Sequence, residues 1–143
     1  MTLILPEEFK TKLKTILDRF DPESNEATRT HRIIARLLNE IEDLSHLEYS
    51  YVANQTNNDG KRPDFLLSHK DKEFFIVEAK AGLHGRHQEQ IIDYLKTHSI
   101  NYGCLTDGVM WSMYEWNGEK LKLEKNIIIS LRPQHYNGLF GYF

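Results

Sequence analysis

The stretch Arg62–Lys80, RPDFLLSHKDKEFFIVEAK, constrains the fold of this chain more than any other. Two apolar runs, FLL and FFIV, flank the polar sequence His69-Lys70-Asp71-Lys72, the pattern of two strands joined by a tight turn. Such strands are antiparallel, so Asp64 at the start of the first lies beside Glu78 near the end of the second. Alternate residues of a strand face the same side. Glu78 and Lys80 therefore project together, and Ala79 projects the other way. Carboxylates and ammonium groups are costly to bury unless they are paired or bind something. Two carboxylates this close favour a raised pKa or a bound cation, and oxygen ligands of this kind suit Mg2+ or Mn2+.

The spacing acid-x-Lys carries little information by itself, because it also occurs at Glu8-Phe9-Lys10 and Asp59-Gly60-Lys61. Only at Glu78-Ala79-Lys80 does it end an apolar strand whose hairpin partner begins in Pro-Asp. The first of the others falls on an amphipathic helix and the second in a polar loop. The competing reading of Glu78-Ala79-Lys80 is a surface ion pair at a strand end.

Around this hairpin the pattern is that of a mixed α/β domain. Pro6-Glu7-Glu8 opens a helix, with a proline in the first turn and acids at the positive end of its dipole, and Phe9, Leu13, Ile16, Leu17 and Phe20 recur at helical spacing. Asp21-Pro22 ends it. Ser24 or Asn25 caps a second helix that runs to about Leu44. Leu47–Val52 alternates as a strand. After the hairpin, RHQEQIIDYLKTHS reads as a helix with Ile91, Ile92 and Leu95 on its buried side, followed by strands in YGCLTD, VMWSMYEW and KLKLEKNIIISL. Asp107-Gly108 and Asn117-Gly118 mark the turns between them. The order is ααβββαβββ, and a helix crossing between central strands predicts a mixed β-sheet flanked by helices. The expected division is a single domain, 1–143, with an N-terminal helix in 1–22, a core in 23–131 and an aromatic tail in 132–143. Trp111 and Trp116 have opposite parities in their strand, which predicts at most one in the core and the other covering the sheet or stacking a base.

Composition narrows the functional classes. The chain has 143 residues, 40% of them hydrophobic and 27% charged, with a formal charge of −3. Binding to nucleic acid must then come from a local patch and not from bulk charge. One cysteine, Cys104, excludes an intramolecular disulfide framework and a cysteine-rich zinc site, and its apolar setting predicts a packed thiol. No apolar run approaches membrane-spanning length, and the start of the chain has neither a basic leader nor a cleavage site, so a cytoplasmic protein without membrane contact is expected. Arg29, Arg32 and Arg36 share helical spacing and, with Lys61 and Arg62, are the candidates for a basic patch, although a solvated helix face gives the same pattern. His84, Arg86 and His87 lie at a loop–helix junction with no third nitrogen ligand in view, which favours a phosphate-contacting or solvated loop over zinc.

Several segments together, NEATRTHRIIARLL, RPDFLL, FFIVEAK, the Gln90-x-x-x-Tyr94 of QIIDY and GCLTDGVMWSMYEW, resemble a PD-(D/E)xK nuclease. More narrowly, the chain is similar to the N-terminal nuclease domain of type I restriction enzyme motor (R) subunits and their stand-alone relatives. The resemblance runs from about Asn25 to Tyr114. It implies a restriction-endonuclease-like core and a divalent-metal-dependent nuclease of the restriction, defence or DNA repair type. It assigns Asp64, Glu78 and the Ala79 carbonyl to the metal, Mg2+ or Mn2+. Lys80 is assigned to the attacking water and the developing phosphate charge, Gln90 to orienting Lys80 or a phosphate, and Glu26 to a water-mediated or second metal contact. Glu26 is equally explained as a first-turn acid favoured by the helix dipole. Tyr94 and Arg86 are expected near the nucleic-acid backbone, with a packing role an equal alternative for Tyr94. The implied partner is DNA, in a homodimer or a larger restriction or repair complex. No helicase motor follows in this sequence, so ATP-driven translocation is not carried over. The alternative is a nuclease fold kept as a catalytically inactive module that binds nucleic acid or a partner protein.

Overall fold

The computed structural model describes residues 7, 9–19, 25, 33–46, 48–53, 63–80 and 88–130. The described elements are helix α1 (Phe9–Leu17), helix α2 (Ala35–Leu44), strands β1 (Tyr49–Ala53), β2 (Phe65–His69) and β3 (Lys72–Ala79), helix α3 (Gln88–His98), and strands β4 (Tyr102–Thr106), β5 (Met110–Trp116) and β6 (Leu121–Ile128). The order ααβββαβββ is the expected one. The candidate caps of the second helix and the aromatic tail fall outside the described residues, except for Asn25.

The strands form one six-stranded sheet in the order β1-β2-β3-β4-β5-β6. All neighbours are antiparallel except β3 and β4, which run parallel. Parallel neighbours need a crossover, and α3 supplies it. The β2–β3 connection is a two-residue turn with both central residues at positive φ, Lys70 at 50° and Asp71 at 65°. Its twist matches that of the strands. It sets Phe65 opposite Val77, which brings Asp64 beside Glu78 as the hairpin reading requires.

Both faces of this sheet are covered. Phe9, Leu13 and Ile16 of α1, at helical spacing, pack with Leu37, Leu38 and Ile41 of α2 on Phe65, Phe75, Val77, Trp111 and Met113. On the other face Ile91, Tyr94 and Leu95 of α3 pack on Ile76, Leu105, Tyr114 and Trp116. Both tryptophans enter the core, where strand parity predicts at most one. Trp111 is 0% exposed and Trp116 8%. Their parities are opposite, but each parity meets its own helix layer. Cys104 is a fully buried thiol, pushed well above its ordinary pKa by burial and then by the nearby Glu78 carboxylate.

Two bulges adjust the alternation. The register shift at Leu67/Ser68 leaves Phe74 as an extra residue in β3. The shift at Met113/Tyr114 leaves Glu124 as an extra residue in β6. The second flips the parity of β6, so that Leu121 packs on the α3 face and Ile127 on the α1–α2 face. Among the described residues, no helix is long and apolar enough to cross a membrane.

Candidate active site

The end of β3 and the residue after it gather the chemistry. Asp64 and Glu78 are locked together across β2 and β3 by crossed hydrogen bonds. The Asp64 amide donates to Glu78 Oε1 at 2.7 Å, and the Ala79 amide donates to Asp64 Oδ2 at 2.8 Å. Each carboxylate is thus fixed by the backbone of the opposite strand. Glu78 is 2% exposed. Burial pushes the Asp64 carboxyl above its ordinary pKa, while the Ala79 N–H bond and the Lys80 charge pull the other way. With both carboxylates ionised, the described group holds two negative charges against the single ammonium of Lys80.

Lys80 shares the α3 face of the sheet with Glu78. Its Nζ lies 4.0 Å from Glu78 Oε2 and donates to Gln90 Oε1 at 2.8 Å. Gln90 Nε2 in turn donates to the Tyr94 hydroxyl at 2.9 Å. Gln90 and Tyr94 are four apart on α3, so both face the strand end. Tyr94 is 3% exposed and packs between α3 and the sheet, its hydroxyl accepting from Gln90.

The Pro-Asp step has a structural reason. Carried one pair further, the β2–β3 register sets Pro63 opposite Ala79. Proline has no N–H, so the ladder bond that would occupy the Ala79 carbonyl has no donor at that position. Instead of pairing with the Pro63 backbone, the Ala79 amide goes to the Asp64 carboxylate. A residue's N–H and C=O point to the same side of a strand, so the Ala79 carbonyl points toward β2 and Asp64. Two carboxylates and this carbonyl form an oxygen-only donor set, which fits a hard divalent cation completed by waters and substrate phosphate. Among the described residues, no group of three His, Cys, Asp or Glu side chains forms a cage, so a cation here depends on the carbonyl and on exogenous oxygens.

The structure therefore brings together Asp64, Glu78, Ala79, Lys80, Gln90 and Tyr94. Arg36 is not among them. It is exposed on α2, beside Lys12, Thr15, Asn39 and Glu40 in the cleft between α1 and α2, on the other side of the sheet. Glu26, Arg29, Arg32, Lys61, Arg62, His84, Arg86 and His87 lie outside the described residues. One contributor escaped the sequence reading. The Thr106 carbonyl accepts from the Lys80 amide at 2.8 Å. Parallel pairing of YGCLTD with FFIVEAK would have pointed to it.

The architecture defines the class: an α/β domain with a restriction-endonuclease-like core, a mixed sheet between helices. Among solved structures, one that it resembles is a fragment of a protein assigned as the HsdR subunit of a type I restriction enzyme from Vibrio vulnificus YJ016. The match has a TM-score of 0.55 and 19% sequence identity, and covers 78% of this chain and 24% of that one. At this identity the likeness shows the fold. The chain spans about a quarter of the length of that relative. No protein-family model matches the chain, and neither does any curated protein.

Proposed function

We propose that this domain is a divalent-metal-dependent nuclease of the PD-(D/E)xK type, hydrolysing phosphodiester bonds in DNA and leaving a 5′-phosphate. The observation that carries the reading is the crossed pair of hydrogen bonds that fixes Asp64 and Glu78 beside Lys80. The likeness of fold to a fragment of a type I restriction enzyme subunit supports the choice.

Asp64, Glu78 and the Ala79 carbonyl would hold Mg2+ or Mn2+. When bound, the ion supplies positive charge to the phosphodiester and makes nearby water more acidic. Lys80 then has two tasks. Its ammonium orients the attacking water by hydrogen bonding and stabilises charge developing on the phosphate oxygens. Gln90 restricts the amine to one position, and Tyr94 fixes which way the Gln90 amide points. Holding an attacking group in register is worth several orders of magnitude in rate, so this chain from helix to amine is part of the catalytic apparatus. Cutting both strands of a duplex takes two scissions, so the domain works as a homodimer or within a larger restriction or repair complex.

The test is cleavage of supercoiled, linear duplex and single-stranded DNA with Mg2+, with chelator as control, by wild type, Asp64→Asn, Glu78→Gln and Lys80→Met. Metal-dependent cutting by wild type alone is expected. Wild-type protein that cuts no DNA with Mg2+ or Mn2+, or a Lys80→Met protein that cuts as well, refutes the reading and leaves a binding module.

A further inference from the structure

We propose that Thr106 and the turn it closes are a positioning device for the Ala79–Lys80 peptide, a role that rests on the nuclease reading for its catalytic consequence. Thr106 ends β4 and is 0% exposed. Its hydroxyl is satisfied in both directions: Oγ1 donates to the Met110 carbonyl at 2.8 Å and accepts from the Gly108 amide at 2.9 Å. The rest of the turn is tied down as well. Asp107 Oδ1 accepts from the amides of Val109 at 2.9 Å and Met110 at 2.8 Å, and the Trp111 indole donates to the Gly108 carbonyl at 3.2 Å. The Thr106 carbonyl that holds the Lys80 amide therefore projects from a braced turn.

The geometry of one peptide plane makes this matter. Among the described residues no peptide is cis, and in a planar trans peptide the N–H and the preceding C=O point in opposite directions. Drawing the Lys80 N–H onto Thr106 aims the Ala79 C=O away from β4, toward Asp64. The preceding peptide, Glu78–Ala79, is held from the other side by the bond from the Ala79 amide to Asp64. Lys80 is consequently fixed at both ends, its amide by the β4–β5 turn and its amine by Gln90 of α3. A turn with no ionisable group at the reacting centre thus sets two of its elements, the third oxygen donor and the amine.

The experiment compares Thr106→Val, which removes the hydroxyl, with Thr106→Ser, which retains it. Amide hydrogen exchange in the metal-free protein is read at Lys80, with Val77 as internal reference. DNA cleavage is measured on the same proteins. Exchange at Lys80 should rise about tenfold in Thr106→Val and stay at the wild-type rate in Thr106→Ser. The cleavage rate constant should fall about tenfold or more in Thr106→Val, with KM for DNA little changed, and Thr106→Ser should restore it. If Thr106→Val does not fold, Asp107→Ala loosens the same turn from outside and should move both readouts in the same direction. Unchanged exchange at Lys80 refutes the clamp whatever cleavage does. Raised exchange with wild-type cleavage refutes its catalytic consequence. Wild-type protein that cuts no DNA refutes the nuclease reading, while the exchange rates still decide the clamp.

Discussion

Replacing Gly108 and Gly118 separately by alanine distinguishes a packed turn from a free one. Both have positive φ, 103° at Gly108 and 95° at Gly118, so both substitutions force an L-residue into a disfavoured conformation. That cost is roughly 1–2 kcal/mol each. The surroundings differ. A Cβ at Gly118 meets nothing within 4 Å, whereas one at Gly108 lies 3.0 Å from Ile33 Cγ2 and 3.1 Å from Ile33 Cβ. Ile33 is 1% exposed and precedes α2 in the core, so it has little room to yield. Overpacking of this kind adds about 1–3 kcal/mol. The expected totals are about 3 kcal/mol for Gly108→Ala and about 1.5 kcal/mol for Gly118→Ala, read from urea unfolding midpoints at constant slope. Ile33→Ala in the Gly108→Ala background removes the Cγ2 methyl at 3.0 Å and leaves the Cβ at 3.1 Å, so the double variant should be less destabilised than the sum of the singles by about 1 kcal/mol or less. Equal costs for the two glycine changes, or strict additivity with Ile33→Ala, would refute the claim that the β4–β5 turn is packed against the start of α2.

Asp64→Asn should stabilise the metal-free protein at neutral pH while abolishing metal binding. Burial raises the folded pKa of Asp64, so its favourable contribution exists at low pH and is lost as pH rises through that value; thermal melts of the two proteins should converge on acidification. On the same grounds Mn2+ affinity should begin to fall on acidification from above the ordinary aspartate value, as calorimetry across pH would reveal. Lys80→Met should lower the cleavage rate about 10²–10³-fold without weakening Mn2+ binding in calorimetry, because an ammonium repels a cation. Lys70→Asn combined with Asp71→Gly should raise stability by about 1 kcal/mol, since both positions have positive φ; unfolding midpoints check this, and cleavage should not change because the turn is at the far end of the hairpin.

The core of the site was legible because it is local. A tight turn fixes the register of β2 and β3, and parity then places Asp64, Glu78 and Lys80 on one face. Gln90 and Tyr94 were legible through helical spacing on the element that follows. The Thr106 contact was not, because it depends on parallel pairing between strands separated by the whole α3 crossover. The burial of Trp116 was missed for a related reason. Parity identifies opposite faces, but only the tertiary arrangement shows that each face carries a helix layer. The bulges at Phe74 and Glu124 left no mark in the hydrophobic pattern, since β6 is largely exposed before its parity changes. Most of the predicted basic residues lie outside the described segments, and Arg36, within them, stands apart from the carboxylates.

The most direct test of the central claim is an anomalous difference map from a crystal of this domain soaked in millimolar Mn2+. The account predicts a peak bonded to the carboxylates of Asp64 and Glu78 and to the Ala79 carbonyl, at oxygen distances of about 2.0–2.3 Å, and no such peak in Asp64→Asn crystals. An empty site at that concentration, or manganese bound elsewhere with these three oxygens untouched, would contradict it.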